Sequence, residues 1–128
     1  MKAIEYTSYG APDVLHLKDM TIPTPKPNEV LIRIRATTAT AADIMMRKGN
    51  PYIGRLYTGL KGPKRTILGF EFAGEVVETG SAVTLFKTGD KVFGGTTSLG
   101  SYAEYACVSE SDVLTTMPDN ISYAEAAP

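Results

Sequence analysis

The chain has 128 residues, 43% hydrophobic and 21% charged, with a net charge of −1. That is enough for one domain with its own core, and no charge excess points to nucleic acid or an anionic membrane as a partner. One cysteine rules out an internal disulfide, and with it the small disulfide-stapled secreted class. The opening stretch "MKAIEYTSYG" carries Glu5 where a signal peptide needs an apolar centre, and no apolar run spans a bilayer. The expected location is the cytoplasm.

Twelve glycines and eight prolines cut the chain into short pieces rich in Val, Ile, Thr and Tyr, which is an all-β pattern. "KAIEY" reads as a first strand. "VLHLKDMT" alternates Leu15, Leu17 and Asp19 against Val14, His16 and Lys18, which predicts a half-buried strand. "PTPKPNE", Pro23 to Glu29, is a loop, because three prolines cannot serve a sheet ladder. In "VLIRIRA", Val30, Ile32, Ile34 and Ala36 share one face, and Arg33 and Arg35 the other. "TAADIMMRKG" changes character. Thr40 stands at a capping position, Asp43 three residues on, and Gly49 at the stop, giving a helix of about two turns. Asn50 to Thr66 is a long loop with tyrosines and glycines, a length that is usually functional or mobile. "FEFAGEVVETG" is strand-like with imperfect alternation, so a bulge is expected. Further strands come in "FKTGDKVFG", after a Gly89-Asp90 turn, in "SYAEYACVS" and in "VLTT". "PDNISYAEAAP" opens a helix at Ser122 with Glu125 as its capping partner. The sequence stops inside that first turn, and we expect a piece of a longer protein.

"ILGFEFAGEV" raises a chemical question. Glu71 lies between Phe70 and Phe72, next to an Ala-Gly pair. A carboxylate in such surroundings must be paired or hydrogen-bonded. Arg47 and Arg33 are candidate partners, and a cleft floor is the alternative.

The order "NEVLIRIRATTATAAD", "ILGFEFAGEVVETG", "FKTGDKVFG", "GSYAEYACV" resembles the N-terminal, GroES-like catalytic domain of medium-chain dehydrogenases/reductases, over nearly the whole chain. The resemblance implies a mainly β fold, a partly open barrel with short helices, filling residues 1–128. It implies a Rossmann cofactor domain following in the parent, since no G-x-G-x-x-G occurs here. Zinc members of that family have a Cys just before the short helix and a His-Glu pair in the "ILG" strand. Thr40 and the Phe70-Glu71 pair stand at those positions, and the four-Cys structural lobe is missing. The pattern is similar to the zinc-free quinone oxidoreductase branch, and no metal is expected.

The resemblance to that branch also implies an activity and a set of residue roles. The parent would reduce quinones or α,β-unsaturated carbonyls with NADP or NAD as cofactor, by hydride transfer. Thr40 would lie near the nicotinamide, at a position usually Asn, as well as capping the helix. Asp43 is either the family's Asp or only the capping partner. Glu71 would form the floor of the active-site cleft, making Thr40, Asp43 and Glu71 the catalytic candidates. Tyr52 and Met45 are the candidate substrate contacts, with Tyr57 nearby. Ala41 and Ala42 replace polar residues that zinc alcohol dehydrogenases use for phosphate contact and proton relay. Lys61, Lys64 and Arg65 read as a solvated basic loop, His16 needs no function, and Cys107 packs as a small hydrophobe. The parent is expected to be a homodimer and this chain a monomer. The competing readings are a GroES-like binding module, since co-chaperonins share the barrel, and a zinc-type alcohol dehydrogenase that has lost its ligands.

Overall fold

The computed structural model describes every residue from Met1 to Pro128. Seven strands form two antiparallel sheets. The first pairs β1 (Lys2–Glu5) with β2 (His16–Asp19). The second has the order β6-β3-β4-β5-β7, built from β3 (Glu29–Thr37), β4 (Glu71–Thr79), β5 (Lys91–Gly95), β6 (Tyr105–Ser109) and β7 (Val113–Thr116). The five-stranded sheet stays open, with β6 and β7 as its edges. Single bridges, Ala3 to Ala103 and Glu5 to Ile67, tie the smaller sheet to the segments ahead of β6 and β4. Three short helices complete the fold: α1 (Ala41–Lys48), α2 (Arg55–Thr58) and α3 (Tyr123–Ala126). No helix is long and apolar enough to cross a membrane.

The core follows the strand pattern. Val30 and Ile32 of β3, Phe72 and Val76 of β4, Val92 of β5 and Val108 of β6 close into one buried cluster, flanked by Ile34, Val83, Phe86 and Leu114. The opposite face of β4 is covered as well. Ala73 packs with Met117, Ala126 and Ala127, where α3 lies back on the sheet. Two covered faces explain why β4 alternates poorly between apolar and polar residues. Gly74 has its own reason: a Cβ there would strike the carbonyl oxygen of Arg33, so the β3 backbone approaches only because the side chain is missing.

Three expectations need correcting. The first concerns β3. Its pairing with β4 skips a residue twice, once at Val77 and once at Arg35. A one-residue slip turns every later side chain to the other face. Ile34 therefore stays with the main cluster while Ala36, paired with Ala73, joins the α3 cluster. The second concerns β2, which is exposed along all four residues rather than half-buried. It is the outer strand of a two-stranded ribbon with nothing packed over it. Its cross-strand ion pairs are Lys2 with Asp19 at 3.1 Å, which lies at the surface and contributes about 0–1 kcal/mol, and Lys18 with Glu5 at 2.8 Å, whose carboxylate is mostly covered. The third concerns the segment from Asn50 to Thr66. It holds a 3₁₀ turn, Tyr52–Gly54, and then α2. Arg55 pins it. Its guanidinium lies between the rings of Tyr9 and Tyr52, 4.5 and 4.6 Å from their centres, and its Nε donates to the Gly49 carbonyl at 3.0 Å. Tyr9 adds a hydrogen bond between its hydroxyl and that of Thr58.

Candidate functional site

The end of β3 and the start of β4 meet at a cluster of carboxylates and hydroxyls. Thr40 caps α1, and the capping box is complete. The Asp43 amide donates to the Thr40 hydroxyl, and the Thr40 amide donates to Asp43 Oδ2 at 2.9 Å. The Thr40 hydroxyl also donates to that same Oδ2, at 2.8 Å. Its one hydrogen is thus committed, and only a remaining lone pair is free for another partner.

Asp43 does more than close the cap. Its side chain is 3% exposed, and its second oxygen, Oδ1, accepts the amide of Gly69 at 3.1 Å. One carboxylate thereby holds the start of α1 against the segment entering β4. Gly69 must be glycine for this contact: its φ is 101°, and a Cβ would collide with the Ser101 hydroxyl. The Tyr102 phenol is pushed up to about 12, by burial first and then by the charge and hydrogen bonding of Asp43. It stays protonated at any ordinary pH.

Glu71 is not in an ion pair. Arg47 is 7% exposed and donates Nη1 to the Gly10 carbonyl at 2.6 Å, Arg33 is exposed, and Arg35 pairs with Glu75 at 3.5 Å. The partner of Glu71 is Thr38, whose hydroxyl donates to Oε2 at 2.6 Å. Next to it, the Thr37 hydroxyl donates to the Glu71 carbonyl at 2.7 Å and shares a 2.8 Å hydrogen bond with Ser101. The slip at Arg35 explains the pairing. It puts Thr37 opposite Phe72 and, one residue further on, Thr38 on the side of Glu71. The arginines that alternate along β3 point to an ion pair in the sequence, but Arg33 stands opposite Glu75 and Arg35 pairs with that same Glu75.

Glu71 is half-buried and lines a cavity of about 580 Å³. Phe70, Phe93, Gly94, Gly95, Thr96 and Thr97 form most of the wall, and Ala126 to Pro128 form one rim. No lysine, arginine, histidine or cysteine lines it. Thr96 and Thr97 direct their hydroxyls to the two oxygens of Asp112 at 3.2 and 3.3 Å, so a second carboxylate stands behind that wall. Asp43 instead borders a groove of about 670 Å³ under the β1–β2 ribbon, with Ile4, Leu15, Leu17 and Tyr102.

The candidate substrate contacts lie elsewhere. Met45 is 50% exposed and borders a smaller cavity of about 230 Å³ with Met46 and Pro51. Tyr52 is 73% exposed and stacks on Arg55, outside each of these cavities. Thr40 and Asp43 are joined in the capping box, but of the five candidates only Glu71 lines the cavity of about 580 Å³; Asp43 and Met45 border other cavities. Thr37, Thr38 and Ser101 are participants that the motifs do not announce. The paired threonines in "ATTAT" are the one signal the sequence offers for them.

A zinc site is a question of donors. No three His, Cys, Asp or Glu side chains converge to hold a metal ion, and Thr40 and Phe70 bring an alcohol and a phenyl ring to the positions in question. Neither is a zinc ligand, so the residues present do not fit a catalytic zinc.

Residues 26–119 match the alcohol dehydrogenase GroES-like domain, and the chain belongs to that family. It is 38% identical to the 2-methylene-furan-3-one reductase of Solanum lycopersicum, over 99% of this chain and 33% of that protein. It is 39% identical to a quinone oxidoreductase of Pseudomonas aeruginosa, over 98% of this chain and 36% of the relative. The crystal structure of the Escherichia coli quinone oxidoreductase complexed with NADPH superposes with a TM-score of 0.84 at 30% identity, covering 98% of this chain and 36% of that one. The chain thus spans about a third of the length of these relatives.

Proposed function

We propose that this chain is the substrate-facing domain of an NAD(P)H-dependent reductase acting on quinones or α,β-unsaturated carbonyls. The observation that carries the reading is the wall of the Glu71 cavity. It is apolar and flat at Phe70, Phe93, Gly94 and Gly95, and it offers no metal ligand set and no cation to polarise a carbonyl. A conjugated acceptor needs such polarisation least, because charge arriving with hydride delocalises onto its distant oxygen. The names of the relatives support the same substrate class.

A nicotinamide cofactor would supply the hydride when bound. A cavity of about 580 Å³ with a glycine wall has room for a flat ring. The rest of the dinucleotide would rest on a Rossmann domain of the parent. The relative named as NADPH-dependent in Arabidopsis thaliana and the NADPH complex of the Escherichia coli structure favour NADP over NAD. This chain would hold the acceptor against Phe70 and Phe93 and keep Glu71 fixed through Thr38. The proton that accompanies hydride would come from solvent. The test is to measure NADPH and NADH oxidation by the parent with benzoquinone, an enone and a simple aldehyde. Turnover of the first two, insensitive to chelator, is expected. Activity on the aldehyde alone, abolished by chelator, would overturn the assignment.

A further inference from the structure

We infer that Glu71 makes this cavity reject anionic ligands, and that Thr38 is the residue positioning it for that purpose. The inference rests on the function proposed above and narrows its substrate class to uncharged acceptors. Four observations lead to it. Glu71 is the only ionisable side chain on the cavity wall. It has no cationic partner, so its charge is not offset locally. Asp112, held by the two wall threonines, adds a charge of the same sign from behind. Finally, the short bond from Thr38 fixes where the carboxylate points. Like charges separated by about 6 Å in a partly wet site repel enough for roughly tenfold discrimination. The remaining wall is phenyl rings, glycine backbone and threonines, which binds an uncharged ring without penalty. Thr37, by contrast, holds the Glu71 backbone and would position the strand rather than the charge.

The test uses a pair of hydroquinones that differ in charge and by one methyl group, methyl gentisate and gentisate, titrated into this chain. Binding is read from the amide NMR shifts of Gly94, Gly95 and Thr97. The neutral ester should bind about tenfold more tightly than the anion. Glu71→Gln should reduce that ratio to about threefold or less. Every other group on the rim is common to the variants, so the difference between them reports Glu71 alone. Thr38→Val should give an intermediate ratio, and Thr38→Ser should restore the original one. In 0.5 M KCl the ratio should shrink, because the site is partly solvated. A ratio unchanged by Glu71→Gln overturns the inference, as does failure of the ester to shift these amides. Identical ratios for Thr38→Val and the natural chain would remove Thr38 from it. These readouts need no turnover, so a parent that failed to reduce enones while the ratios held would sink the proposed function alone.

Discussion

Replacing Asp43 with Asn is the most direct test of what holds the junction together. The Asp43 carboxylate accepts from two backbone amides that cannot turn away: Thr40 at Oδ2 and Gly69 at Oδ1. Asparagine brings one oxygen and one NH₂ group. Whichever way its amide is flipped, a buried N–H faces another N–H. The change loses a hydrogen bond to a charged group and strands a donor, which together cost about 2–4 kcal/mol. For a chain of this size that is a fall of about 10 °C in melting temperature. Thr40→Ala is the internal comparison, since it removes the cap and the hydroxyl's bond to Oδ2 but leaves both amide bonds to the carboxylate, and it should cost about 1–2 kcal/mol. Calorimetric melting of both variants gives the ranking. Hydrogen exchange adds a local reading: the Gly69 amide should lose protection in Asp43→Asn and keep most of it in Thr40→Ala. An Asn variant that melts within about 2 °C of the natural chain, with Gly69 still protected, would refute the reasoning.

Two more outcomes are expected from groups away from the cavity. Burial, helped by the nearby Tyr9, pushes the Tyr6 phenol up to about 12, and Tyr102 rises likewise. A raised pKa in the fold means that the stabilisation is fully present below the unfolded value of 10.0 and is lost as pH climbs toward 12. Urea midpoints should therefore drop between about pH 10 and 11.5, and Tyr6→Phe should flatten that drop; an equally steep fall in the variant would count against it. Cys107 is pushed up to about 11, by burial first and then by Glu29 and Glu78, with Lys26 opposing. Its alkylation by iodoacetamide at pH 8 should run about a hundredfold slower in the folded chain than in urea, and equal rates would contradict this assignment.

What the sequence discloses, and what it conceals, divides along the range of the interaction. The Thr40–Asp43 and Ser122–Glu125 capping boxes are legible because both partners sit three residues apart, and the structure completes both. The order of the strands is legible from the alternation and from the glycines and prolines between them. The partner of Glu71 is not. It depends on one extra residue at Arg35: without that residue Thr37, not Thr38, would stand opposite Glu71. Imperfect alternation points to a bulge in β4, where Val77 does carry one; the decisive slip is on β3. Tyr52 escapes a sequence reading for a similar reason. Nothing local indicates that Arg55, three residues later, sandwiches itself between Tyr52 and the distant Tyr9.

The two carboxylates at the junction look alike in the sequence, each next to apolar or small residues. Their donor counts separate them. Asp43 takes donors from two backbone amides and a hydroxyl, and almost none of it reaches solvent. A group so fully engaged has little capacity left for a ligand, and its loss disturbs α1 and the approach to β4 together. Glu71 takes one side-chain donor, is only half-buried, and lines a cavity. Its loss leaves the sheet intact, because Glu71 pairs with Gly95 of β5 and its carboxylate takes no part in a ladder. Substitution at position 43 should thus be read in melting temperature, and substitution at position 71 in the choice of ligand. The hydroxyls divide the same way. Thr40 holds the frame through Asp43, and Thr38 holds the carboxylate that lines the cavity, a division that the slip at Arg35 permits for threonines two residues apart.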